Sequence, residues 1–145
     1  MMELKTYTDY ALRVLLYVGM HRGQSVTMRE IAQSYSISQE HLRKVVHHLA
    51  KEHYLLTKRG KTGGIQLARS PDSIFIGEVV EMMEGTMHII DCDRQPCPLR
   101  SVCALKDAVN SAKLAFIQHL NGYTLATLLG SKPLQERIKA IEIKV

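Results

Sequence analysis

Three observations predict a mainly α-helical chain with a small β-hairpin, arranged as a winged helix-turn-helix plus a long C-terminal dimerisation helix. Apolar residues recur at helical spacing in three segments before residue 50. Two short extended segments between residues 54 and 68 flank a glycine-rich turn that carries cations. An Ala-rich amphipathic run then covers roughly Ser101 to Leu120. At 145 residues, 46% of them hydrophobic, the chain suits one domain or a compact subunit with an extension.

The first helix is expected to use Thr8 as its N-cap, with Asp9 in the first turn. Tyr10, Ala11, Val14, Leu15, Tyr17 and Val18 form its apolar stripe, which ends near His21-Arg22-Gly23. Thr27-Met28-Arg29-Glu30 reads as a capping box, in which Thr and Glu side chains satisfy each other's backbone N–H groups. It opens a short helix carrying Ile31 and Ala32. Tyr35-Ser36-Ile37-Ser38 breaks the pattern, and Ser38 can cap a third helix. There Leu42, Val45, Val46 and Leu49 fall at i, i+3, i+4 and i+7, and Gln39, Glu40, Arg43, Lys44, His47 and His48 face away. Two helices joined by a tight turn, the second polar and basic outside, describe a helix-turn-helix.

Tyr54 to Arg59 reads as a strand, Gly60-Lys61-Thr62-Gly63-Gly64 as a turn, and Ile65 to Ala68 as the returning strand. A glycine turn alone would be an ordinary hairpin. Directly after a helix-turn-helix, with Lys58, Arg59 and Lys61 around it, it reads as a wing that approaches phosphate or enters a groove. Charge points the same way. Residues 1–70 hold eleven Lys/Arg against five Asp/Glu, whereas residues 71–145 hold eight against nine. A basic half joined to a near-neutral half suggests one polyanion-binding side. The candidate DNA contacts are Ser38, Gln39, His41, Arg43, Lys44, Lys58, Arg59 and Lys61.

Ser70-Pro71-Asp72 ends the winged unit, so the expected division is 1–72 for DNA binding and 73–145 for a cysteine loop and dimerisation helix. Ile76, Val79, Val80 and Met83 suggest a helix stopped near Gly85. In the long run, Leu105, Ala108, Val109, Ala112, Ala115, Phe116 and Leu120 share one side. So long an apolar face in so small a chain calls for a second copy to cover it, which also fits two half-sites on DNA. Asn121-Gly122 looks like a C-cap, and Thr124 an N-cap for a short helix. The tail after Gly130 carries no reading.

Cys92, Cys97 and Cys103, the only cysteines, gather within twelve residues at spacing C-x4-C-x5-C. An odd number cannot close into internal disulfides alone. Asp, Arg, Gln and two prolines surround them, unlike the setting of a packing cysteine. Stiffened by proline, such a loop can hold thiolates around a metal or cluster; a redox thiol switch is the alternative. Soft thiolates suit iron–sulfur clusters or zinc, and the C-x2-C knuckle typical of zinc is absent. His88, four residues before Cys92, is more simply a solvated loop histidine.

Tyr7-Thr8-Asp9-Tyr10-Ala11-Leu12-Arg13, Arg59 to Leu67, Ile76-Gly77-Glu78-Val79-Val80, the cysteine triad and Tyr123-Thr124-Leu125 together resemble the family of iron–sulfur winged-helix transcriptional regulators. The resemblance runs from about residue 3 to 129 and is strongest to the nitric-oxide-sensing branch, through Thr8-Asp9-Tyr10 and Val102 to Lys106. It implies a 4Fe–4S cluster, ahead of 2Fe–2S, held by Cys92, Cys97 and Cys103, with Asp9 of the partner subunit as fourth ligand. Another branch uses a histidine three residues after the last cysteine, where this chain has Lys106. The first cysteine gap is one residue shorter than in some relatives.

The expected function is a homodimeric repressor on a palindromic double-stranded DNA operator, with nitric oxide as the signal. The alternative is a redox-, iron- or zinc-responsive regulator of the same family. No P-loop, dinucleotide fingerprint or nucleophile elbow supports an enzyme. With no apolar run of ~20 residues and no signal-peptide pattern, a cytoplasmic location is expected.

Overall fold

The computed structural model describes residues 2–61 and 63–143. Among these the elements are α1 (Thr6–Met20), α2 (Met28–Tyr35), α3 (Gln39–Lys51), β1 (Leu55–Lys58), β2 (Gly64–Leu67), a 3-10 turn (Pro71–Ser73), α4 (Ile76–Glu84), α5 (Ala104–Leu120), α6 (Leu125–Leu129) and α7 (Lys132–Ile141). The chain is thus mainly α with one antiparallel hairpin, as expected, and none of its described helices is long and apolar enough to cross a membrane.

Helix α1 is the centre of the core. Ala11, Val14, Leu15, Tyr17 and Val18 are all but fully buried, and α1 packs against α3, α4, α6, α7 and β2. Each buried Val or Leu side chain contributes about 1.5–3 kcal/mol relative to exposure. The same core takes in Leu42, Val45, Val46 and Leu49 of α3, and Val79, Met83, Leu125 and Ile138 from beyond residue 72.

The start of α1 differs from expectation. The helix begins at Thr6 with Lys5 as N-cap, and no side chain of its own first turn caps it. Thr8 lies inside the helix, fully buried, and its hydroxyl donates to Glu84 at 2.5 Å. Glu84, the last residue of α4, also accepts the Lys5 N–H at 3.1 Å. A carboxylate from another helix therefore does the capping, and it suits the positive end of the α1 dipole.

The capping box of Thr27 and Glu30 forms as read. Ser36 turns the chain between α2 and α3 in a left-handed conformation (φ 55°), and Ser38 takes the N-cap position of α3 without a side-chain capping bond. The hairpin pairs Leu55 with Leu67 and Lys58 with Gly64. A third extended piece joins it: Val26 and Ile65 exchange backbone hydrogen bonds of 3.1 and 2.7 Å. Gly64 makes this crossing possible, because a Cβ there would lie 2.9 Å from the Val26 carbonyl oxygen.

Helix α5 begins at Ala104, three residues later than Ser101, with Cys103 as its N-cap. Its buried residue is Ile117, which lies outside the expected stripe. Of that stripe, Val109, Phe116 and Leu120 are half-buried, while Leu105, Ala108, Ala112 and Ala115 are exposed. Beyond Gly130, where the sequence carried no reading, Ser131 caps α7 and Pro133 stands in its first turn. Ile138 then anchors α7 in the core.

Candidate DNA interface and metal centre

On α3 the core takes Leu42, Val45, Val46 and Leu49, which leaves Gln39, Arg43 and His47 in one exposed row along the helix. Ser38, His41 and Lys44 are exposed beside them. Tyr7 of α1 holds this helix: its hydroxyl donates to the Lys44 carbonyl at 3.2 Å and lies 3.1 Å from His48 Nδ1. Burial pushes the Tyr7 phenol above its usual pKa, so it keeps the proton it donates.

Lys58, Arg59 and Lys61 are all exposed at the hairpin end. The turn closes with the Gly63 N–H on the Gly60 carbonyl at 3.0 Å. A Cβ at Gly63 would lie 2.2 Å from the Lys58 carbonyl, so only glycine lets the chain pass there. Arg69 fixes the base of the wing. It donates to the Glu52 and His53 carbonyls at 2.9 and 3.0 Å, and its guanidinium lies 3.9 Å from the Tyr54 ring centroid. Sequence reasoning assigned no role to Tyr7 or Arg69; both partnerships join residues that no periodicity connects.

The cysteines occupy the irregular loop between α4 and α5. All three are free thiols, Cys97 exposed, Cys92 and Cys103 half-buried. The Asp91 carboxylate accepts the N–H groups of Asp93 and Arg94 at 3.1 and 3.2 Å, and Asp93 pairs with Arg100 across the loop. Cys92 and His88 line a cavity of about 200 Å³ against Lys106, Val109 and Lys113 of α5. The three sulfurs do not gather within 4.8 Å of one another. Thiolates sharing one zinc would stand roughly 3.8 Å apart, given Zn–S bonds of ~2.3 Å. A 4Fe–4S cluster would take each thiolate on a different iron and would accept a wider spread. Soft, free and loop-borne, the donor set fits an iron–sulfur cluster.

Asp9 is not brought to these cysteines. It stands in the first turn of α1 at 46% side-chain exposure, and both its oxygens meet Arg13, at 2.8 and 3.1 Å. Among the described residues, the metal-ligating side chains that do converge are His21, Glu30 and Glu142, which the sequence did not single out.

Comparison with known proteins agrees with this architecture. The family described as Rrf2, iron-dependent transcriptional regulator, matches residues 4–131. The chain is similar to the HTH-type transcriptional regulator NsrR of Bacillus subtilis (strain 168), with 40% identity over 147 aligned positions covering 99% of each protein. It is also similar to NsrR of Oceanobacillus iheyensis, with 43% identity over 132 positions, 88% of this chain and 90% of that one. Its fold is like that of the global cysteine regulator CymR (YrzC) of B. subtilis, with TM-score 0.70 and 23% identity, covering 89% of this chain and 97% of that one. T. potens IscR gives TM-score 0.72 and 23% identity, covering 88% and 86%. A winged helix-turn-helix and a match across most of the chain make it a member of the Rrf2 family of transcriptional regulators, a DNA-binding protein and not an enzyme.

Proposed function

We propose that the chain is a homodimeric repressor of the NsrR type. It binds a palindromic operator and reads nitric oxide through an iron–sulfur cluster, 4Fe–4S in preference to 2Fe–2S. Cys92, Cys97 and Cys103 hold the cluster, and Asp9 of the partner subunit is the fourth ligand. When bound, such a cluster supplies iron with affinity for nitric oxide. The observation that carries the reading is three free thiols in one loop whose first neighbour, α4, ends on the start of α1.

Residues 1–72 read DNA, and residues 73–145 sense and dimerise. Gln39 and Arg43 reach base edges; Ser38, His41 and Lys44 flank them at the backbone. Arg59 enters a narrow A·T-rich minor groove, while Lys58 and Lys61 neutralise phosphate. The exposed Leu105, Ala108, Ala112 and Ala115, on one side of α5, offer the dimer surface; Leu105 is 63% exposed in the single chain. Because α1 packs on α3 and Tyr7 bonds Lys44, a shift of the first turn of α1 moves the recognition helix. Coupling of about 1.4 kcal/mol changes DNA affinity tenfold, so a small shift suffices.

The test is anaerobic titration of nitric oxide into parent, Asp9→Ala and Asp9→Cys proteins, following cluster absorbance and operator binding together. The parent should be coloured and release DNA. Asp9→Ala should lose its cluster sooner, and Asp9→Cys should resist nitric oxide. Colourless parent protein with stoichiometric zinc overturns the cluster. Identical behaviour of Asp9→Ala and parent removes Asp9 from the ligand set.

A further inference from the structure

We propose that His21, Glu30 and Glu142 form a second metal site, separate from the cysteine loop, in which one divalent first-row transition cation fastens the C-terminal helix to the helix-turn-helix. The three residues come from three elements: the C-cap of α1, the capping box of α2 and the C-cap of α7. His21 Nε2 lies 3.2 Å from Glu142 Oε1, and one ligand atom of each residue falls within 4.8 Å of the other two. Donors bound at ~2.0–2.2 Å to one cation stand roughly 3.0–3.5 Å apart, so modest side-chain adjustment closes the triad.

The surroundings prepare these donors. His21 Nδ1 lies 2.8 Å from the Tyr17 carbonyl, to which it donates, and the imidazole stacks on the Tyr17 ring at 4.4 Å. That arrangement turns Nε2 toward Glu142 and holds the ring still, as partners behind metal-binding histidines do. Tyr17 also donates its hydroxyl to Glu30 Oε1 at 3.0 Å. A carboxylate oxygen has two lone pairs, so this atom retains one for a cation.

Charge supplies an independent reason. Among the described residues neither Glu30 nor Glu142 pairs with a lysine or arginine, so two carboxylates share one imidazole. The site is largely enclosed, with His21 and Glu142 side chains only 13% and 19% exposed, and uncompensated negative charge there is costly. A divalent cation balances both carboxylates while the imidazole stays neutral. One nitrogen and two oxygens suit Mn²⁺, Fe²⁺ or Zn²⁺ rather than the soft metals that thiolates select. The same tail already touches the helix-turn-helix through the Ile143 N–H, which donates to Ser34 Oγ at 3.1 Å.

Mn²⁺ is the probe, because thiolates are poor ligands for it. Chelator-treated, full-length, cluster-free protein is titrated with Mn²⁺ by electron paramagnetic resonance, and its melting temperature is followed with and without the ion. One Mn²⁺ per chain should bind and raise the melting temperature. Binding should weaken about tenfold or more in Glu142→Gln and His21→Ala, and stay unchanged in Cys92→Ala. Glu142 ends a surface helix, so Glu142→Gln should keep the parent circular dichroism. No binding below about 1 mM, or equal binding by Glu142→Gln, overturns the site. A parent that ignores Mn²⁺ yet is destabilised by Glu142→Gln also overturns it, and identifies a plain imidazolium–carboxylate pair.

Discussion

The Thr8 hydroxyl donates to Glu84 Oε2 at 2.5 Å, with both residues buried, so the last residue before the cysteine loop is clasped to the first helix of the DNA-binding unit. Thr8→Val keeps the shape and removes the donor. It should cost about 1–3 kcal/mol, because it leaves a buried carboxylate short of one bond. Thr8→Ser should stay near the parent. Urea unfolding of the cluster-free protein measures both, and a Thr8→Val midpoint equal to the parent's would show that Glu84 is satisfied without Thr8.

Helices α4 and α5 meet through Gly77 and Asn121. Asn121 Oδ1 accepts the Glu78 N–H at 2.8 Å, and a Cβ at position 77 would lie 2.3 Å from that same oxygen and 2.4 Å from the Ile117 carbonyl. Gly77→Ala should push the helices apart and cost about 1–3 kcal/mol. Asn121→Ala removes only the cap and should cost ~1 kcal/mol. Thermal unfolding ranks the two; an Asn121→Ala loss larger than the Gly77→Ala loss would contradict the close-approach argument.

At the wing, Arg59→Ala should weaken operator binding and relax preference at an A·T step. Lys61→Ala should weaken binding to all sequences and lower the salt-dependence slope by roughly 1. Gel-shift titrations at several salt concentrations separate these effects. Parent-like binding by both variants would remove the wing from the interface.

Single Cys→Ala changes at 92, 97 or 103 should each abolish stable cluster binding while leaving the helical circular dichroism intact, because the loop lies outside the core of α1 to α3. Iron content and dichroism are read on the same samples. Full iron retention in any variant would strike that cysteine from the ligand set.

Burial, before any neighbouring charge, pushes the phenols of Tyr17 and Tyr35 up to about 12. For Tyr17 the Ser34 hydrogen bond works against the shift and Glu30 works with it; for Tyr35 the Arg13 charge opposes it. A phenol with its folded pKa above the unfolded value of ~10 keeps its proton longer in the native state. The stability it contributes is full below pH ~10 and is lost as pH rises towards 12. Tyrosinate absorbance should show these two titrating last, together with the loss of helix. All six tyrosines ionising near pH ~10 with the helices intact would refute the shift.

What the sequence determined by itself is local. The stripes of α1, α3 and α4, the Thr27–Glu30 box, the hairpin and the clustered thiols were legible because each depends on residues a few positions apart. The Ser131 and Pro133 start signals of α7 were there too, though they could not say that α7 would pack on α1 and α6 and carry Ile138 into the core. Tertiary structure decided the rest. Glu84, not Thr8, caps α1, and Asn121 serves the start of α4 across 43 residues. Of the α5 face, packing against α4 chose Ile117 and left Leu105 and the alanines outside. Periodicity reports which side of a helix is apolar. Which neighbour meets that side depends on how all the helices pack at once, and that information resides in no single segment.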